Sequence, residues 1–191
     1  MNSLKKIKEW LNTFTSFNEQ EQVDCQHIRQ FLEEEPNLLL RDNVKMHFTA
    51  SAWVLNPKKD KVLMLYHNIY QSWSWSGGHA DGEGDLLSVA MKEVKEESGL
   101  VSLKPLSDSP ISIEILGVQP HYKKQKYVSA HLHLNYTFLL HNTKEEKLKI
   151  CPEENSKVGW LSPDEAVRSS TEAWMKPIYK KLNQKMRKYL G

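Results

Sequence analysis

Between Asp85 and Gly99 the chain reads DLLSVAMKEVKEESG, a segment that admits one local structure. Asp85 is a helix N-cap by residue type, and Gly99 stands where a left-handed residue ends a helix. Leu87, Ala90, Met91 and Val94 recur at the spacing of one helical face, so that side is expected in a core. Glu93, Glu96 and Glu97 stand at i, i+3 and i+4 on a different face of the last turns. Like charges at this spacing repel, and the C-terminal end of the helix dipole is itself negative. A solvated face is the ordinary fate of such a run. A bound divalent cation reverses the sign of the argument, because Mg²⁺ is hard, prefers oxygen and bridges carboxylates to phosphates.

The flanks fix the fold class. HFTASAWVLN (47–56) and KVLMLYHNI (61–69) are β-rich runs joined by the turn sequence PKKD. ISIEILGVQ (111–119), YVSAHLHLNYTFLL (127–140) and KVGWL (157–161) read as further strands. Ser162, with Glu165 three residues later, opens a capped helix. Trp174, Ile178, Leu182, Met186 and Leu190 lie at spacing four and predict a final helix docked on a core. At the start of the chain, Leu4, Ile7, Leu11 and Phe14, then Val23, Ile28, Phe31 and Leu32, predict two helices ending at EEEP before Pro36. The expectation is an α/β layered domain over 44–191 behind a helical extension over 1–43.

Composition narrows the partners. With 26 basic and 24 acidic residues the net charge is only +2, so no nucleic-acid partner is expected. The basic residues of the last helix, Lys176, Lys180, Lys181, Lys185, Arg187 and Lys188, read as a solvated surface. No apolar run nears the length of a membrane span, and MNSLKKIKEWLNTF lacks the apolar stretch and cleavage site of a signal peptide. Cys25 and Cys151 share no motif spacing, so free thiols in a reducing compartment are expected. These features predict a soluble cytoplasmic protein with no membrane partner.

Two other uses of the acidic stretch fail in detail. Asp81, Glu83 and Asp85 begin like a calcium loop, but Leu86 replaces the needed glycine and Lys92 the terminal glutamate. There is no P-loop, and Gly82 and Gly84 do not extend to a dinucleotide fingerprint.

The stretch resembles the Nudix box, G-x5-E-x7-R-E-U-x-E-E-x-G-U, where U is a bulky aliphatic residue. Gly78, Glu93, Val94, Glu96, Glu97, Gly99 and Leu100 match that pattern in register. Trp73 stands at the family's usual tryptophan position, and Trp160 lies on a strand followed by a helix. The resemblance runs from about residue 45 to the C-terminus and implies a Nudix-type α/β/α sandwich with a mixed sheet. Two positions depart from it: Gly84 replaces the box glutamate, with Glu83 one place early, and Lys92 replaces the box arginine. In the family these two residues form a supporting ion pair. Glu83 and Lys92 are expected to rebuild a looser version, since lysine lacks the bidentate fork.

The resemblance implies a hydrolase that cleaves a diphosphate bond in a nucleoside diphosphate linked to another group. It implies Mg²⁺ or Mn²⁺ held by Glu93, Glu96, Glu97, the Gly78 carbonyl and Glu154. Such chemistry needs phosphate charge neutralised and a water positioned for attack, and Glu96 or Glu97 is the expected base. The partner is then a small-molecule nucleotide. His131, His133 and Asn135 share one face of an alternating strand and are expected in a polar pocket wall contacting substrate. A zinc site there would need further ligands, which the spacing does not reveal. Trp73 and Trp75 share a face and suit either nucleobase stacking or packing against the box helix. Lys124, in the loop PHYKKQK, is within a loop's reach of a phosphate. The competing function is a non-catalytic Nudix-fold sensor of nucleotide or ADP-ribose, which would be expected to lose the metal glutamates. A Nudix-like isopentenyl-diphosphate isomerase would use a cysteine near the box, where this chain has Gly77, Gly78 and His79. For the helical extension, a homodimer contact, a lid over the pocket and neither of these all remain open.

Overall fold

The computed structural model describes residues 4–123 and 125–191. Two helices come first, α1 (Lys5–Thr13) and α2 (Glu19–Glu34), followed by β1 (Met46–Leu55), β2 (Val62–His67), β3 (Ser72–Ser74) and β4 (Ser76–His79). The acidic stretch forms α3 (Leu86–Ser98). Then come β5 (Leu103–Pro105), β6 (Ser112–Val118), β7 (His121–Lys123), β8 (Lys126–Val128), β9 (His131–Asn142) and β10 (Asn155–Leu161). Helices α4 (Pro163–Ser169) and α5 (Met175–Leu190) close the chain.

Strand β1 is buried at every position, which requires cover on both faces of its sheet. It lies parallel to β9, from Met46 opposite Leu132 to Leu55 opposite His141. Its other neighbours, β2 and β4, run antiparallel, so the sheet is mixed. The order β10-β2-β1-β9-β5 is extended by β3 on β2, β4 on β1 and β6 on β9. Phe48, Ala50, Ala52 and Val54 of β1 share a core with Leu86, Ala90 and Val94 of α3. Trp53 and Leu55, which alternate to the other face, pack with Ala166 of α4 and Tyr179 and Leu182 of α5. The result is the expected α/β/α sandwich.

The N-terminal helices belong to the first of these cores. Ile7, Trp10 and Leu11 of α1 and Cys25 and Ile28 of α2 are buried in it. The Trp10 ring meets Phe138 edge-on at 5.3 Å, and its Nε1 donates to the Asp108 carbonyl at 3.0 Å. Lys6 pairs with Asp85, the N-cap of α3, at 2.8 Å.

Two expected faces are corrected. Val23 is 40% exposed, and α2 instead buries Glu21, Cys25 and Ile28. On α5, Trp174 is 54% exposed and Leu190 is also exposed, while Met175 and Tyr179 join Leu182 and Met186 in the core. Steps of four residues advance about 40° beyond a full turn each, so the ends of a long spacing-four series rotate off any one face. The basic residues of α5 are not uniformly solvated either: Lys181 is 4% exposed, between Glu21 and Glu114. Cys25 and Cys151 are free thiols, and no described helix is long and apolar enough to cross a membrane.

Candidate active site

The last turns of α3 face β4. Gly99 ends the helix in the left-handed region, φ 75°, with its N–H on the Lys95 carbonyl at 3.0 Å. That geometry favours glycine and sets where the final turn stops. Glu97 is only 5% exposed; its Oε2 accepts the Ser76 hydroxyl and, at 3.2 Å, the Gly77 N–H. One turn earlier, Glu93 lies against Gly78. A Cβ at position 78 would meet the Glu93 carboxylate, with its oxygens at 2.6 and 2.7 Å, so a side chain there collides with the acid.

Strand β10 brings in a further acid. Asn155 donates its Nδ2 to the Glu97 carbonyl at 3.0 Å, locking the start of the strand to the end of the helix. Glu154, one residue earlier, is held by its N–H on the Cys151 carbonyl at 2.9 Å and its own carbonyl on the Asn68 N–H at 3.0 Å. This seats its carboxylate within electrostatic reach of both Glu93 and Glu97. Glu96 stands at the exposed edge of the group, 3.7 Å from Lys92.

The electrostatics follow from the crowding. Burial pushes the Glu97 carboxyl up to about 8, with Glu93 and Glu154 adding repulsion against the Ser76 and Gly77 hydrogen bonds. Glu93 is raised too, first by burial and then by Glu96, Glu154 and Asp81. Among the described residues no basic side chain makes an ion pair with Glu93, Glu97 or Glu154. Arg41 acts from further off: it is clamped to Asp81 through Nε at 2.7 Å and Nη2 at 2.5 Å, and feels Glu93 and Glu154. Oxygen donors with excess negative charge are the donor set a hard divalent ion prefers, so Glu93, Glu97 and Glu154, with Glu96 at the edge and the Gly78 carbonyl, fit Mg²⁺ or Mn²⁺.

The family model described as the NUDIX domain matches residues 45–182. The chain belongs to the NUDIX family. Solved structures repeat the fold. An Ap4A hydrolase from C. elegans is 18% identical with a TM-score of 0.54, over 72% of this chain and 95% of that one. The dihydroneopterin triphosphate pyrophosphohydrolase of E. coli is 16% identical with a TM-score of 0.52, over 70% and 92%. A Nudix hydrolase from M. smegmatis, RenU, is 13% identical with a TM-score of 0.52, over 72% and 84%. None of the curated proteins compared with it matches the sequence.

The Nudix box departures resolve differently from expectation. Glu83 does not pair with Lys92: its Oε1 accepts the Asp85 N–H at 2.7 Å, while Lys92 lies over Glu96. Moving the acid one place forward, into the turn ahead of the helix, puts it on the backbone at the helix start. The helix is anchored instead at its first turn, by Lys6 on Asp85.

The histidine-bearing face lies across the sheet from the carboxylates. On β4, Ser76 and Gly78 address α3, so His79 alternates to the far side. There it joins His133 and His131 of β9 and His47 of β1. His47 and His79 are the residues that the strand spacing missed, because each comes from a separate strand. Burial pushes His133 down to about 2, helped by His79, His47 and His131, and lowers His47 as well. Asn135 is on this face, but its amide is fully engaged. It accepts Thr49 and Ser51 at 3.0 and 2.8 Å and donates to Glu114 and Thr137 at 3.3 and 3.0 Å. Trp73 and Trp75 pack on the α5 side of the sheet and not on the box helix, Trp75 meeting Tyr179 at 5.5 Å and Trp73 meeting Tyr66 at 5.8 Å. Strand alternation sends both rings to the face opposite Ser76. Lys124 lies outside the described residues.

Proposed function

We propose that this Nudix chain is a divalent-metal-dependent hydrolase of a small nucleotide, cleaving a diphosphate bond in a nucleoside diphosphate linked to another group. One observation carries the proposal: Glu93 lies against Gly78 with Glu96, Glu97 and Glu154 in electrostatic reach, no basic side chain among the described residues is ion-paired with Glu93, Glu97 or Glu154, and Glu97, the most buried, has its pKa raised to about 8. A protein does not keep such a group for stability, since uncompensated buried charge costs free energy. Glu93, Glu96, Glu97, Glu154 and the Gly78 carbonyl would hold Mg²⁺ or Mn²⁺. The ion, when bound, neutralises phosphate charge and lowers the pKa of a bound water.

The chain's own residues have distinct tasks. Ser76 and Gly77 fix Glu97 by its Oε2, which leaves Oε1 to take a proton from the attacking water. Glu93, backed by Gly78, holds its carboxylate at the β4 edge. Glu96, exposed and beside Lys92, closes the outer side. Arg41, fixed by Asp81, presents positive charge at the rim, where an anionic substrate enters.

The test is phosphate release from a panel of nucleoside-diphosphate derivatives with Mg²⁺ or Mn²⁺, parent against Glu97→Gln. Metal-dependent release from one substrate class, reduced roughly 10²–10⁴-fold in the variant while the fold survives, is the expected result. Silence across the panel, with nucleotide still raising the melting temperature of both proteins, would replace the hydrolase with a sensor.

A further inference from the structure

Four histidines from three strands converge behind the carboxylate site. Ring centroids of His47 and His79 are 5.1 Å apart, and those of His47–His131, His47–His133, His79–His133 and His131–His133 are each 5.0 Å apart. One nitrogen from each of His47, His79 and His133 falls within 4.8 Å of the other two. Aromatic packing alone does not account for the polar atoms. His47 is 4% exposed, and its Nε2 is buried without a hydrogen-bond partner among the described residues. A buried orphan nitrogen is a cost that a native fold normally avoids.

The tautomers point the same way. His47 Nδ1 lies 3.1 Å from the Asn43 carbonyl, and His131 Nδ1 lies 2.8 Å from the Ser129 carbonyl. A carbonyl only accepts, so both rings carry their proton on Nδ1 and keep a lone pair on Nε2. A backbone carbonyl fixing one ring nitrogen while the other stays basic is the usual outer support of a metal-bound histidine. His131 Nε2 and His133 Nε2 stand 3.2 Å apart, a hydrogen bond in the metal-free protein that His133 donates, and a spacing close to the about 3.3 Å between two nitrogens on one tetrahedral ion with bonds of about 2.0–2.1 Å, so an ion would replace that proton.

We propose that His47, His79 and His133 bind one divalent ion of the imidazole-preferring kind, Zn²⁺ by default, with His131 beside them to complete the shell. The donor set selects the ion: neutral imidazoles suit Zn²⁺ and its late-transition neighbours, whereas the carboxylates across the sheet suit Mg²⁺ and Mn²⁺. The nitrogens need to close by no more than about 1.5 Å to reach the spacing of ligands on one ion. The ion would tie β1, β4 and β9 together immediately beside Gly78. The Arg41–Asp81 pair is coupled electrostatically to both sites, since Asp81 feels His79 while Arg41 feels Glu93 and Glu154. This second centre does not depend on the hydrolase reading.

The experiment uses the full chain without a polyhistidine tag, stripped with chelator and held in excess Mg²⁺. Zn²⁺ and Co²⁺ are titrated in, with metal content, Co²⁺ visible absorption and zinc X-ray absorption as readouts. The expected result is one tight ion per chain with an imidazole-nitrogen shell, retained in Glu93→Gln/Glu97→Gln. Affinity should fall roughly 100-fold or more in His133→Gln or His79→Gln, and roughly 10-fold in His131→Gln. Circular dichroism identifies any variant that fails to fold, and the X-ray absorption of the parent stands without a variant. No bound ion above background, an oxygen-only shell, or an ion lost in the glutamate double variant would each overturn the site.

Discussion

Two buried charge assemblies sit in this sandwich, and they are built on opposite terms. On the α5 side, Glu21 and Glu114 are enclosed with Lys181 and Lys185. Lys181 lies 3.1 Å from Glu21 and 2.9 Å from Glu114, and Lys185 lies 2.5 Å from Glu21. Burial opposes ionisation of Glu21, yet Lys181, Lys185 and Ser112 together hold its carboxyl below the ordinary value. Two acids meet two bases, and the charge closes. On the α3 side, Glu93, Glu97 and Glu154 have no such partner among the described residues, and burial drives Glu97 the other way. An assembly that neutralises itself holds helices α2 and α5 to β6. One that does not is, on the function proposed above, completed by a divalent ion.

That contrast can be broken most forcefully at Lys181. Lys181→Met leaves Glu114 unpaired in the interior, and urea unfolding should show a loss of about 3–5 kcal/mol. Glu97→Gln, an equally buried change, should cost the metal-free protein nothing. Equal losses at the two positions would erase the distinction.

Gly78→Ala sharpens it from the other side. The new Cβ would press on the Glu93 carboxylate, so hydrolysis should fall about 10²-fold while the α5-side assembly is untouched. Activity at the parental level would mean that Glu93 need not sit where it does.

The pH dependence should differ as well. Glu97 has an ordinary value near 4.5 and a folded value of about 8, so between those values the folded state holds a proton that the unfolded state has lost. Stability of the metal-free parent should therefore drop as pH rises through that window, and the drop should be absent in Glu97→Gln. A Tm flat from pH 5 to 8 in the parent would show that Glu97 titrates normally. The smallest effect is expected at Arg41→Lys, where a half-exposed pair loses its bidentate geometry. Stability should change by less than about 1 kcal/mol, and the readout is a weaker KM for an anionic substrate.

Much of the candidate site was legible in the sequence, because a helix writes its faces locally. Asp85, Gly99 and the acids between them sit within fifteen positions, so periodicity alone grouped Glu93 with Glu97. Glu154 was reachable only through the family pattern. What stayed hidden depends on strand neighbours far apart in the chain. His47 and His133 become adjacent through a parallel pairing, and nothing local marks that register. Lys181 looked like one more solvated lysine, since its partners lie on α2 and β6. The Glu83–Lys92 expectation failed for a local reason: an acid in the turn before a helix has backbone N–H groups closer to hand than a side chain two turns on.

The most direct measurement of the central claim is the melting temperature of the parent and of Glu97→Gln at pH 7, with and without Mg²⁺. An oxygen-preferring ion that completes the carboxylate cluster should raise the Tm of the parent and release a proton on binding, and should do neither in the variant. An unchanged parent, or an equal rise in both proteins, would contradict the reading of the acids as a working metal site.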